Sequence, residues 1–230
     1  MKLLRGARGP LRIGAVVTDL DRTLTDRTLR VHPATIRTLR RLRRAGVRLV
    51  LATGRSLREL RARRGLLSTF NAFILEGGGL VGPPDALRFT NPRIAHLEEL
   101  RSWMGRRNLE HRFGRTCVSI ARSERKRLHG FPHLDRFQVA PNHDRIDITL
   151  RGVHKGSGLR ALPPGVLGRG NVLAFGDGEN DLPLFRAADY RVAVANAVPS
   201  LRAAADETTD EYGGRGVRGF LETRLLGGTS

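Results

Sequence analysis

The chain has one cysteine in 230 residues, Cys117, so no internal disulfide framework holds it together. A lone thiol suits a reducing compartment, and within TCVSI it reads as a small buried hydrophobe on a strand rather than a reactive group. Aromatic residues make up only 5% of the chain, and the stacking motifs of RNA-binding sheets are missing. No apolar run approaches membrane-spanning length, and the start MKLLRGARGP has a basic flank with no apolar stretch behind it. A soluble, cytoplasmic protein with no membrane partner is expected. Acids are scarce, 22 against 41 lysines and arginines, which leaves a formal charge of +19. Lysine itself is almost absent, found only at positions 2, 126 and 155. Such a balance favours anionic partners. Residues 34 to 68 hold eleven arginines and a single acid, Glu59, around an apolar stripe of Ile36, Leu39, Leu42, Leu57 and Leu60. That pattern reads as a solvated outer face of two helices, with a nucleic-acid surface as the alternative.

What the chain does have is alternation. Residues 12 to 18 form a β-branched run, a helix follows from Pro33 to Ala45 with Gly46 as its stop, and 47 to 52 is a strand. Ser56 caps a second helix to about Arg64, and 72 to 76 is a third strand. Apolar strands separated by amphipathic helices indicate a parallel sheet covered on its faces. From Pro83 the texture changes to a helix over 92 to 107, segments near 111 to 121, and the alternating strands 137 to 140 and 145 to 150. The α/β rhythm returns after Lys155 with strands at 171 to 175 and 191 to 195 and helices starting near Leu182 and Pro199. The expected fold is α/β, a Rossmann-like parallel-sheet core of residues 1–82 and 154–230 with an inserted α+β cap domain over 83–153.

Four short stretches fall at strand ends or a helix start: Asp19-Leu20-Asp21-Arg22-Thr23, Thr53-Gly54-Arg55, Lys155-Gly156, and Gly176-Asp177-Gly178-Glu179-Asn180-Asp181. Strand residues i and i+2 project to one side, so Asp19 and Asp21 place two carboxylates together, where they repel unless a cation intervenes. Ligands of open α/β sheets bind at strand carboxyl ends, where these loops can converge. A second acidic loop then supplies the all-oxygen donor set of a hard cation, for which Mg2+ is the natural occupant. An EF-hand reading fails, because the sixth and twelfth positions counted from Asp19 are Leu24 and Arg30, and from Asp177 are Leu182 and Ala188. His129 and His133 have no zinc-site spacing and read as loop residues. Lys155 stands out in a chain that otherwise uses arginine, which suggests that a compact ammonium is needed beside Gly156 and Gly158.

DLDRT, TGR, Lys155 and GDGEND, in that order and with an insert between the second and third, resemble the haloacid dehalogenase-like superfamily of phosphohydrolases, in the branch with an α/β cap. The short cap, GDGENDLPLF, VAVANAVPSL and EYGGRGV are most similar to archaeal-type phosphoglycolate phosphatases. The resemblance implies a magnesium-dependent phosphatase acting on a small phosphorylated acid through an aspartyl-phosphate. It implies Asp19 as nucleophile and Asp21 as general acid and base. It also implies metal binding by Asp19, the Asp21 carbonyl, Asp177 and Asp181, and phosphoryl contacts from Thr53, Gly54 and Lys155, with Asn180 orienting the shell and Arg55 and Thr23 as supports. Gly77 departs from relatives, which often carry asparagine there. Arg112, Arg115 and Arg145 stand out in the insert as candidates for a substrate carboxylate. Sugar-phosphate phosphatases and phosphomutases share the same core residues, and a nucleic-acid-binding protein on such a scaffold is the reading from another class. The assembly expected is a monomer or homodimer.

Overall fold

A computed structural model describes residues 2–6, 9–142 and 144–227 of the chain. The apolar run ahead of Asp19 is the inner part of β2 (Gly9–Thr18), which forms a hairpin with β1 (Lys2–Gly6). The chain continues through α1 (Pro33–Arg44), β3 (Arg48–Ala52), the short helices α2 (Leu57–Leu60) and α3 (Arg64–Leu67), and β4 (Ala72–Leu75). Strands β2, β3 and β4 are parallel, and β5 (Leu80–Gly82) and β6 (Arg88–Phe89) extend that side antiparallel. After an inserted region come α5 (Lys155–Arg160), β11 (Asn171–Gly176), α6 (Leu182–Phe185), β12 (Tyr190–Ala193), α7 (Pro199–Ala203), β13 (Glu207–Thr208) and α8 (Gly213–Phe220). The insert holds α4 (Ala95–Gly105), β7 (His111–Phe113), β8 (Cys117–Ala121), β9 (Phe137–Asn142) and β10 (Arg145–Leu150).

Across the main sheet the order is β13-β12-β11-β2-β3-β4-β5-β6, so β2 lies between β3 and β11. The chain first adds strands on one side of β2 and later on the other, which makes the carboxyl ends of β2 and β11 a topological switch point, where a crevice opens. Val17, Leu49, Leu51, Leu173 and Phe175 are fully buried there. Each such aliphatic or aromatic side chain contributes roughly 1.5–3 kcal/mol on leaving water. The insert forms its own sheet, β7-β8-β10-β9, all antiparallel, over an apolar cluster of Leu97, Leu100, Trp103, Met104, Ile146 and Ile148. The Rossmann-like sheet with an inserted helix-and-strand cap region is thus the fold expected from the sequence.

Helix ends follow local chemistry. Pro33 occupies the first turn of α1, and Arg41, Arg43 and Arg44 sit in its last turn, where carbonyls accumulate negative charge. Ser56 caps α2 in a capping box, its amide donating to Glu59 Oε2 at 2.8 Å. The single helix expected from Ser56 to about Arg64 is instead broken, since α2 gives way to a 3-10 turn over Arg61–Arg63 before α3. Closely spaced arginines repel along this segment, and Gly65 further weakens a continuous helix. Cys117 lies on β8 and is buried.

Candidate active site

Asp19 follows β2, Thr53 follows β3 and Asp177 follows β11, so three adjacent parallel strands deliver them to one crevice. The backbone locks this edge: the Asp19 amide donates to the Phe175 carbonyl at 3.1 Å and the Thr53 amide to the Ile74 carbonyl at 2.8 Å. Lys155 arrives from the first turn of α5, where His154 Nδ1 accepts from the Ser157 amide at 3.0 Å. The glycines beside Lys155 let that short helix sink in. A Cβ at Gly156 would stand 2.0 Å from the Pro183 carbonyl oxygen, and one at Gly158 2.6 Å from Ile74 Cγ2.

The Lys155 ammonium, 1% exposed, donates to Asp19 Oδ1 at 2.6 Å and to Asp181 Oδ1 at 2.5 Å. Asp181 Oδ2 accepts from the amides of Asp177 and Gly178 at 3.0 and 3.1 Å, and Thr23 Oγ1 donates to Asp177 Oδ1 at 2.7 Å. Oxygen atoms of Asp19, Asp177 and Asp181 all lie within 4.8 Å of one another. Burial pushes the Asp19 carboxyl well above its usual range; Lys155 opposes the shift, and Asp181 and Asp177 reinforce it. Burial, then the Asp181 charge, pushes Asp177 up to about 7. Burial alone would discharge Lys155, but Asp181 and Asp19 hold its pKa above the ordinary value, so the ammonium stays charged. Fully ionised, three carboxylates facing one ammonium would carry two uncompensated negative charges in an all-oxygen cluster, and the raised pKa values of Asp19 and Asp177 reflect that excess together with burial. That charge and donor set fit a hard divalent cation.

Asp21 sits apart from that cluster in its contacts. Arg55 grips its carboxylate with two hydrogen bonds, Nε to Oδ2 at 2.6 Å and Nη2 to Oδ1 at 2.9 Å. Asp19, Asp21, Thr53, Gly54, Arg55, Asp177 and Asn180 all line one cavity of about 330 Å3, while Lys155 and Asp181 are buried beneath it. Gly77 offers its amide to the Thr53 carbonyl at 3.1 Å, so the backbone makes a polar contact at this position without a side chain.

The insert closes the same cavity. Of the three arginines singled out there, Arg112 and Arg145 line it, and Ser119 positions Arg145 by accepting from Nε at 2.9 Å. Arg115 instead stacks over Phe89, 4.5 Å from the ring centre. Sequence reasoning missed Asn142 and Asp147. Asn142 Nδ2 donates to Asp147 Oδ2 at 2.7 Å, Asp147 packs against Gly54, and burial raises the Asp147 carboxyl. The signal available was an acid flanked by isoleucines in the strand RIDITL. Glu76 was missed as well; it is buried, adopts φ +54°, and accepts from Thr116 Oγ1 at 2.8 Å, tying the main sheet to the insert.

The family profile described as haloacid dehalogenase-like hydrolase matches residues 16–88 and 125–221. A phosphoglycolate phosphatase of Methanopyrus kandleri is 34% identical over 223 residues, covering 91% of this chain and 96% of that protein. One from Methanothermobacter thermautotrophicus is 30% identical, covering 88% and 95%. Among solved structures, a haloacid dehalogenase-like hydrolase from B. subtilis matches with a TM-score of 0.73 at 17% identity, over 91% of this chain and 99% of that one. Thermoplasma acidophilum 0175 matches with a TM-score of 0.71 at 19% identity, over 92% and 97%. These structural likenesses concern the fold.

Proposed function

We propose, because this chain belongs to the haloacid dehalogenase-like hydrolase family, that its phosphatase activity is directed at a small phosphorylated acid, 2-phosphoglycolate, which it converts to glycolate and phosphate. The observation that carries the reading is the convergence of Asp19, Asp177, Asp181 and Lys155 at the switch point, beneath a cavity that also exposes Asp21. The substrate comes from the relatives, and the cavity is compatible with it: about 330 Å3 suits a small ester, and Arg112 and Arg145 offer cationic partners for a carboxylate.

In this reading Asp19 attacks phosphorus in line, an oxygen–phosphorus bond forming as the bond to the glycolate oxygen breaks. Asp21, beside the reacting group, serves as the general acid that gives a proton to the departing oxygen. It then takes a proton from the water that attacks the aspartyl-phosphate, returning Asp19 as a carboxylate and releasing inorganic phosphate. Lys155 and the Thr53 and Gly54 loop offset phosphoryl charge, and Asn180 orients the acidic loop. Magnesium would be held by Asp19, the Asp21 carbonyl, Asp177 and Asp181, and supplies further neutralisation of the phosphoryl oxygens.

Phosphate release from 2-phosphoglycolate, measured beside sugar phosphates and nucleotides with Mg2+ and with a chelator, tests this directly. The expected result is metal-dependent release that is fastest on 2-phosphoglycolate and lost in Asp19→Asn, with the circular dichroism spectrum unchanged. Faster release from a sugar phosphate would move the substrate, and near-normal turnover in Asp19→Asn would sink the mechanism.

A further inference from the structure

A second cavity, of about 620 Å3, lies between the tight loop after Asp21, the first turns of α1, and the segment around α3. Its apolar bed is Leu29, Val31, Ile36 and Leu66, and its rim carries Arg30, Arg37, Arg40 and Arg63 with no acid among the described lining residues. Arg40 is fixed by its Nη2 donating to the Gly65 carbonyl at 3.1 Å. Arg63 Nη1 is different: it is buried and has no acceptor among the described residues. A guanidinium N–H removed from water without an acceptor is costly, and an anionic group in the cavity would supply one.

The occupant can be narrowed by chemistry. The volume falls in the range of small-molecule sites. A second copy of a chain carrying +19 would bring more positive charge to four arginines. A nucleic acid would engage the rim but find no aromatic lining on which to stack a base. A small organic anion satisfies both halves, with its charged end on the arginines and its apolar body on the bed.

We propose that this cavity binds a small amphipathic organic anion and that its occupancy is felt in the catalytic cleft. Leu29 carries the coupling, because it lines both cavities. It has φ +60° and is 39% exposed, a conformation uncommon for a residue with a branched side chain. The loop that presents it is braced at its base. Thr25 and Val31 form a bridge, and Asp26 Oδ1 accepts from the amides of Thr28 and Arg30 at 2.8 and 3.0 Å. A ligand packed behind Leu29 therefore bears on the wall of the site that holds Asp19 and Asp21.

The test uses the full chain and the fluorescent aromatic sulfonate 8-anilinonaphthalene-1-sulfonate as the probe. One-to-one saturable binding is expected, weakened at least tenfold in Arg63→Gln and in Arg37→Gln, and unaffected by orthovanadate, an anion of the phosphate site. Saturating probe should also shift KM for the phosphate ester in the wild type and not in Arg63→Gln, whose turnover without probe stays normal. Equal affinity in both variants, or displacement of the probe by vanadate, overturns the site. One-for-one displacement by a short DNA duplex, or self-association in place of probe binding, assigns the cavity to another occupant and overturns it equally. Because the fluorescence readout needs no turnover, a failed phosphatase assay and a failed anion site give different results.

Discussion

Lys155 is the residue on which the most charge depends. Its ammonium is buried between Asp19 and Asp181, so Lys155→Met strands two carboxylates without their partner. Removing one side of such a buried arrangement costs about 3–5 kcal/mol. The expected outcome is a fall of that size in urea-derived stability together with a loss of turnover, and a variant as stable as the wild type would show that the contact is not energetically coupled. Protons and a bound cation would compete for the same oxygens. Asp177, raised to about 7 from 3.8, and Asp19, also raised, hold protons in the folded chain that the unfolded chain has released. Their contribution without metal is therefore present at low pH and is lost as pH rises from about 4 to 7. On the proposed reading magnesium would replace those protons, so the rise in melting temperature it causes should grow across that window. A rise independent of pH in paired scans with Mg2+ and with chelator would contradict the assignment.

At the scale of the element, α5 shows how packing serves the site. Gly156→Ala puts a methyl group against the Pro183 carbonyl, and overpacking of this kind costs about 1–3 kcal/mol. It should also move Lys155 and lower kcat at least tenfold. Ser56→Ala removes a cap of similar energetic weight, about 1 kcal/mol, yet should leave kcat near the wild-type value. Steady-state rates beside denaturant midpoints separate the two. The strands leading to Asp19, Thr53 and Asp177 were legible because a fully buried parallel strand is an unbroken apolar run with loop chemistry at its end. The tail was not. EYGGRGV has three glycines, each a poor helix former, and the sequence reading assigns it no helix, yet it enters α8, where a Cβ at Gly214 would stand 2.2 Å from the Leu24 carbonyl oxygen. Those glycines serve close contact, which no local propensity reports. The short strands β5 and β6 and the hairpin strand β1 also escaped, since two to five residues leave little periodicity to read. Asn142 and Asp147 reach the cavity only through the pairing of β9 with β10 and the placement of the insert against Gly54, which are properties of tertiary structure.

At the scale of the whole molecule, a charge of +19 surrounds an acidic crevice and draws anions toward it. Raising NaCl from 20 to 200 mM should lower kcat/KM for a phosphorylated acid by roughly three- to tenfold through KM, with kcat held, since screening at these strengths acts on the approach of the anion. A kcat/KM insensitive to salt would place the arginines outside the path of the substrate. The position of β2 has a further consequence, for the order in which the protein is made. Its edge at Ile13–Thr18 is covered by β11, and Lys155 meets Asp19 across 136 residues of chain. At translation speeds of about 5–20 residues per second, the stretch between β3 and β11 takes roughly 6–24 s to emerge from the ribosome. Throughout that interval the central strand has an open edge, and for most of it, until Lys155 is made, the acidic end of its loop lacks its ammonium. The catalytic centre is thus among the last parts of the nascent chain to close, and a chaperone that shields strand edges would act during that interval.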